Sequence, residues 1–269
     1  MGTSLPQEIS DTIVDKVAEE PEPALRVATL RVCSLISRVW VYRSQRHLFS
    51  KIEFNRGIDL PRWRASIGVD GPSYHVKHLH FTKTSRDLYL RDVLPAGWDM
   101  TFFTNLRILH LTRFALQHEQ VRFIYGEGGS TVSHLLLEGC VMNIHHLTSF
   151  LRPFTNLLDL SLLDPRMPPG PNPEYQPEPL SARGKINLEL RINMIHCSQS
   201  FVNGFLLLPV AVRTITFSGY KPMVVPWKNA PVPCMTAINK LLAASRETLT
   251  HFRVHSCKFS SSSRAHSCL

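Results

Sequence analysis

One spacing recurs along the chain: an apolar residue, two free positions, a second apolar residue, one free position, and a third. It occurs at Phe49/Ile52/Phe54, Val76/Leu79/Phe81, Leu106/Leu109/Leu111, Val132/Leu135/Leu137, Leu157/Leu160/Leu162, Val212/Ile215/Phe217 and Leu249/Phe252/Val254. A weaker copy begins at polar Asn187 and continues with Leu190 and Ile192. Successive copies start 25 to 37 residues apart. A unit of that size cannot bury its own apolar face, so the units must stack. Two apolar residues separated by one free position alternate as a strand does, with the free residues turned outward. Each copy therefore predicts a strand followed by a helical or irregular return.

Some copies extend further. Leu106-x-x-Leu109-x-Leu111 continues to Phe114 and Leu116, Val132-x-x-Leu135-x-Leu137 to Cys140 and Met142, and Leu249-x-x-Phe252-x-Val254 to Cys257 and Phe259. This resembles the leucine-rich repeat, whose period is about 20–29 residues and which carries Asn or Cys at the position of Cys140 and Cys257. The resemblance implies an α/β fold, an LRR-like solenoid with a parallel strand array. Cys140 and Cys257 are expected to be structural, packing as small apolar groups and donating weakly to a backbone carbonyl.

Stacking aligns the outward residues into columns on one face, the binding face of such arrays. The columns hold His78 and His80; Ile108 and His110; His134, Leu136 and Glu138; Asp159 and Ser161; Glu189 and Arg191; Thr214 and Thr216; and His251, Arg253 and His255. His78, His80, His110, His134, Glu138, Arg191 and Arg253 are the candidate target-binding residues. Six of the 13 histidines fall here, which suits a pH-sensitive recognition surface. His78 and His80 share a face, but no carboxylate or cysteine in the neighbouring column joins them, so no metal is expected. Two proline-rich loops interrupt the pattern, at 165–179 and 219–234. The second carries Trp227, readable either as an interaction anchor or as a side chain tucked back onto the array.

The first fifty residues differ. Ser4 and Gln7 fit a capping box ahead of an apolar stripe at Ile9, Ile13 and Val17, widened by Val14. Prolines 21 and 23 end that helix. Apolar stretches 24–36 and 37–49 predict two more. Residues 1–22 carry a net charge of −5, and residues 23–54 a net +5. Three short helices bury little surface alone. They suit either a cap on the first repeat or a docking module completed by a partner.

Leu5-Pro6-Gln7-Glu8-Ile9, then Cys33-Ser34-Leu35-Ile36-Ser37-Arg38-Val39-Trp40, then His47-Leu48-Phe49 resemble the F-box, in the version common in mushroom-forming fungi. The resemblance covers roughly residues 4–50. It implies docking to an acidic Skp-type linker protein and, through it, to a cullin-RING (SCF) ubiquitin ligase. The implied linker-binding residues are Leu5, Pro6, Ile9, Leu30, Ile36 and Trp40. Leu25-Arg26-Val27-Ala28-Thr29 nearly duplicates Leu30-Arg31-Val32-Cys33-Ser34, and either fits the second-helix position.

The expected organisation is thus an F-box-like helical module at 1–50, an LRR-like solenoid at 51–260, and a tail at 261–269 that reads as a loose end or the stump of a truncated chain. The expected function is a substrate receptor for an SCF-type ligase, its target unknown; the alternative is an LRR-like scaffold with no ubiquitin role. No P-loop, GxSxG, HExxH or dinucleotide fingerprint is present, and no carboxylate pair is placed for acid–base chemistry. Neither catalysis nor a cofactor is expected. A net charge of +9 admits acidic partners, but the basic residues are scattered rather than interleaved with aromatics, which argues against nucleic acid. Polar residues break the longest uncharged stretch, 192–212, so no membrane span is expected. Six cysteines without a CxxC pair, no signal peptide and no lipidation motif suit a cytoplasmic or nuclear, reducing setting.

Overall fold

The computed structural model describes residues 5–55, 62–63, 72–82, 102–116, 130–166, 186–193, 199–220 and 232–256. Three helices come first: α1 (Gln7–Ala18), α2 (Pro23–Ile36) and α3 (Arg38–Leu48). Eight strands follow: β1 (Lys51–Phe54), β2 (His78–Thr82), β3 (Ile108–Thr112), β4 (His134–Glu138), β5 (Asp159–Leu163), β6 (Ile186–Asn193), β7 (Val210–Tyr220) and β8 (His251–Ser256). They form one parallel sheet whose spatial order is the chain order. Helix α4 (Ile144–Leu151) follows β4, α5 (Gln199–Gly204) follows β6, and α6 (Val232–Ala244) precedes β8. The fold is α/β.

Each strand but β6 sits where the apolar spacing places it, and from β1 to β5 the register follows from the pattern. Leu79, Leu109, Leu135, Leu160 and Leu188 form one inward row; Phe81, Leu111, Leu137, Leu162 and Leu190 form the next. All ten are buried. Phe103, Phe114, Phe150, Phe201 and Phe205 belong to the same core. Burial of each such side chain contributes about 1.5–3 kcal/mol, which pins a register that a one-residue slip would invert.

Main-chain bonds repeat with the side chains. The carbonyl just before a strand accepts two N–H groups from the next unit: Ser50 from Lys77 and His78, Lys77 from Arg107 and Ile108, Arg107 from Ser133 and His134, and Ser133 from Leu158 and Asp159, all at 2.8–3.1 Å. Asn105 and Asn156 brace the same junctions by donating to the carbonyls of Tyr74 and Ser130. At the other end, β3, β4 and β5 each finish in a left-handed residue, Arg113 (φ 68°), Gly139 (φ 59°) and Asp164 (φ 50°). Glycine takes this conformation freely, whereas Arg113 and Asp164 carry some strain. The N–H of each donates to a carbonyl of the following strand (Glu138, Leu163 and Arg191, at 2.7–2.8 Å), which holds the corner in place.

Cys140 lies just beyond the second corner, fully buried, and its Sγ donates to the Leu111 carbonyl at 3.3 Å, as its place in the repeat predicts. Burial pushes its thiol up to about 12. Cys257 lies outside the described residues.

Two expectations need correction. The weak copy was framed at Asn187/Leu190/Ile192, but Leu188 and Leu190 oppose Leu160 and Leu162. The true frame on the β5 side starts two residues earlier. A two-residue shift leaves the same side chains inward, so the pattern could not fix it. On the β7 side a bulge at Arg213 restores the notional frame, pairing Leu190 with Ile215 and Ile192 with Phe217. The loop expected over 219–234 is also corrected at both ends: β7 continues to Tyr220 and α6 starts at Val232, with Pro233 in its first turn, where proline costs no helical hydrogen bond, and 221–231 lie outside the described residues. Most of the loop expected at 165–179 lies outside the described residues; Arg166 bridges to Val141.

Candidate interaction surfaces

The helical head is built by short local rules. Pro6 caps α1 without a side-chain bond; Gln7 instead donates to Asp11, and Ser4 of the expected capping box lies outside the described residues. The proline at position 23 opens α2. The hydroxyl of Ser37 accepts the Val39 N–H to start α3. Asp15 ties α1 to α3: Arg43 donates to both carboxylate oxygens, and His47 Nε2 lies 2.7 Å from Oδ1. The Arg43 hydrogen bonds hold the Asp15 carboxyl well below the usual carboxylate range.

Inside the head, Ser10, Val14, Leu30, Cys33 and Ser44 are buried. Outside it stands a concentration of bare apolar side chains: Leu5 (56% exposed), Ile9, Ile13, Leu25, Val32, Leu35 (85%), Ile36, Val39 and Tyr42. On α2 the buried pair Leu30/Cys33 and the exposed set Leu25/Val32/Ile36 occupy different faces, as their helical spacing requires.

The residues named from the F-box resemblance divide accordingly. Leu5, Pro6, Ile9 and Ile36 are exposed and Trp40 is half-buried. Leu30 is a correction: at 2% exposure it belongs to the head's own core and has no surface to offer a partner. A single helix contains both near-duplicate segments, and Leu25, not Leu30, is the leucine presented outward. Leu25, Val32 and Leu35 extend the exposed stripe beyond Ile36, and sequence does not mark them because 24–36 is apolar on two faces. The head also touches the short helical turn Pro72–His75 that leads into β2, where the Tyr42 ring meets His75 edge-on at 5.1 Å.

On the sheet, the outward columns form continuous rows. His80 lies between Glu53 and His110 in its row, and the sequence columns had omitted Glu53 on β1. The His80 and His110 rings stack in parallel, 3.9 Å apart. The Thr112 hydroxyl lies 3.0 Å from His80 Nε2 and 3.2 Å from His110 Nε2. Glu53 approaches His80 at 3.6 Å and Glu138 approaches His110 at 3.3 Å. Carboxylates do therefore flank these histidines, contrary to the expectation from the columns. Among the described residues, however, no three His, Cys, Asp or Glu side chains are grouped to hold a metal ion. Burial pushes all three imidazoles down, His78 to about 4, so the cluster is neutral at pH 7.

A second polar line crosses four strands. Ser133 lies beside His134; His134 Nε2 sits 3.0 Å from Asp159; Asn187 donates to Asp159 at 3.0 Å; and Arg213, turned out by the bulge, donates to Asn187 at 3.1 Å. Beside it lies a shallow depression of about 280 Å³ lined by Asp159, Ser161, Asn187, Glu189, Arg213 and Thr214. Neither Asn187 nor Arg213 was predicted. The two-residue frame error hid Asn187, and no sequence signal marks a bulge at Arg213.

Arg191 is likewise displaced from its expected column. It lies opposite Leu163 and pairs with Asp164 at 3.5 Å, away from Asp159. Arg253 is exposed on β8, opposite Thr216. Trp227 lies outside the described residues. None of the helices described is long and apolar enough to cross a membrane. No protein-family model matches the chain, and no curated protein matches it.

Proposed function

We propose that the chain is a substrate-receptor subunit of an SCF-type ubiquitin ligase. Its helical head, residues 1–50, is the F-box-like module that docks on an acidic Skp-type linker, and the LRR-like array behind it, 51–260, grips a target protein. The chain itself performs no chemistry. It raises the effective concentration of target lysines near a conjugating enzyme held by the cullin-RING assembly. Such a complex works in the cytoplasm or nucleus.

The observation that carries this reading is the concentration of exposed apolar residues on the head. Nine large apolar side chains from Leu5 to Tyr42 stand in solvent, whereas the inward rows of the central strands are fully covered. A bare apolar patch rimmed by polar groups is what a protein-binding site needs. The exposed Arg31 and Arg38 beside it suit an acidic partner.

The test is a pull-down of a Skp-type linker with the full chain, with the Leu5→Ala/Pro6→Ala double variant, and with Leu35→Asp/Ile36→Asp, whose side chains are mostly in solvent. Capture by the native chain and its loss in both variants is the expected result. No capture by any of them, or equal capture by all, refutes the docking role.

The Tyr42–His75 contact favours a second reading, a scaffold whose helices only cap the sheet. That reading predicts no linker capture and a sheet that unfolds when residues 1–50 are removed.

A further inference from the structure

The two ends of the sheet differ. At the β1 end, Phe54 is buried by Phe81, stacked at 5.4 Å, and by Trp63, edge-on at 5.9 Å. At the β8 end, Phe252 and Val254 occupy the inward positions opposite Ile215 and Phe217. They should be as covered as Leu135 and Leu160, which are fully buried, yet they are 51% and 53% exposed. Phe252 shields Phe217 edge-on at 5.9 Å and is itself half exposed. Among the described residues no strand pairs with the outer edge of β8. Among the described residues, that edge therefore combines unpaired main-chain donors and acceptors with two exposed apolar side chains, the composition of a strand template.

Charge selects the occupant. Residues 210–220 and 232–256 carry Arg213, Lys240, Arg246 and Arg253 against Glu247 alone, and neither β7 nor β8 holds an acidic residue. Arg253 is exposed and has no ion-pair partner among the described residues. A second copy of β8 would bring Arg253 beside its equivalent, like charge to like.

We infer that the free edge of β8 is a binding site for an extended, acidic segment of a partner protein, which adds as a ninth strand with apolar residues beside Phe252 and Val254 and carboxylates beside Arg253 and His251. Strand addition of this kind takes affinity from the main chain and selectivity from alternate side chains. The site is remote from the linker-docking face and stands whether or not that face binds a linker.

The test uses fluorescence anisotropy with the full chain and two labelled synthetic peptides, one alternating glutamate with valine and one alternating lysine with valine. The acidic peptide should bind at least about tenfold more tightly, with affinity falling as salt is added. Arg253→Glu, a change on a solvent-exposed side chain, should remove or reverse that preference without shifting the urea midpoint. Leu5→Ala/Pro6→Ala should bind the acidic peptide as the native chain does, which separates this site from the docking role. Equal binding of both peptides, or of neither, overturns the inference. So does binding that appears only when residues 257–269 are deleted, which would make that segment the occupant. A dimer seen by light scattering and dissolved by Phe252→Asp would instead make a second copy the occupant, and overturns it too.

Discussion

Acidification should loosen the sheet through His78, and the size of the effect follows from its surroundings. His78 sits on the outward face opposite Lys51 and Ile108, and its Nε2 is buried without a hydrogen-bond partner. Burial is the main reason that its imidazolium is pushed down to about 4; Lys51, His110 and His80 push the same way, and Glu53 opposes them. In the unfolded chain the same ring titrates near about 6.5. A base whose folded value is depressed contributes its full stability above the unfolded value and loses it as pH falls toward the folded one. Between pH 7 and pH 5 the unfolded chain gains a proton that the folded chain refuses, a loss of about 2 kcal/mol by linkage. His80 and His110 shift in the same direction and add to it. Urea unfolding at pH 7 and pH 5, on the native chain and on His78→Leu, isolates the His78 contribution, because the other titrating groups are common to both. The native chain should lose about 2 kcal/mol more than the variant. A difference below about 0.5 kcal/mol, or a native chain more stable at pH 5, would refute the assignment of His78 as a buried neutral imidazole.

Three further outcomes are expected. Gly204→Ala places a methyl carbon 2.3 Å from Ile144 Cγ1; it should cost about 1–3 kcal/mol by urea midpoint, partly recovered by adding Ile144→Ala. Asp15→Asn weakens the acceptor shared by Arg43 and His47 and should destabilise the head by about 1–2 kcal/mol, a figure already reduced for its partial exposure. Because the native Asp15 carboxyl is held below its ordinary value, its contribution is complete above about pH 4 and fades as pH falls further, so helical circular dichroism should show a flatter acid limb in the variant. Cys140 should resist iodoacetamide in the folded chain and react once urea exposes it, read by peptide mass spectrometry.

What the sequence revealed depended on how unique each signal was. The strands at Leu109/Leu111, Leu135/Leu137 and Leu160/Leu162 were legible because three apolar positions recur at matching spacing in a polar setting. At 186–192, apolar residues alternate without a break, so frames two residues apart score equally; only pairing with β5 chooses between them. The corner glycine at 139 hinted at a left-handed turn, but Arg113 and Asp164 adopt the same conformation with no such hint. The matching segments Phe103-Thr104-Asn105-Leu106 and Phe154-Thr155-Asn156-Leu157 mark equivalent junctions in two repeats, each braced by its asparagine. In α2 the pattern showed two apolar faces and could not say which one α1 and α3 would cover. Leu30 enters the docking set through the F-box resemblance, and the pattern gives no ground for putting Leu25 or Leu35 there instead.

The match between spatial and chain order has a consequence for synthesis. From β2 onward each strand pairs with the one translated just before it, and for β2 to β5 the carbonyl that receives the first two amides is already in place when the strand emerges. Partners are separated by one repeat, so no segment need wait for a distant stretch of polypeptide before it can pair. The sheet can grow on the ribosome like masonry, course upon course, from a first layer that the leading helices have already steadied.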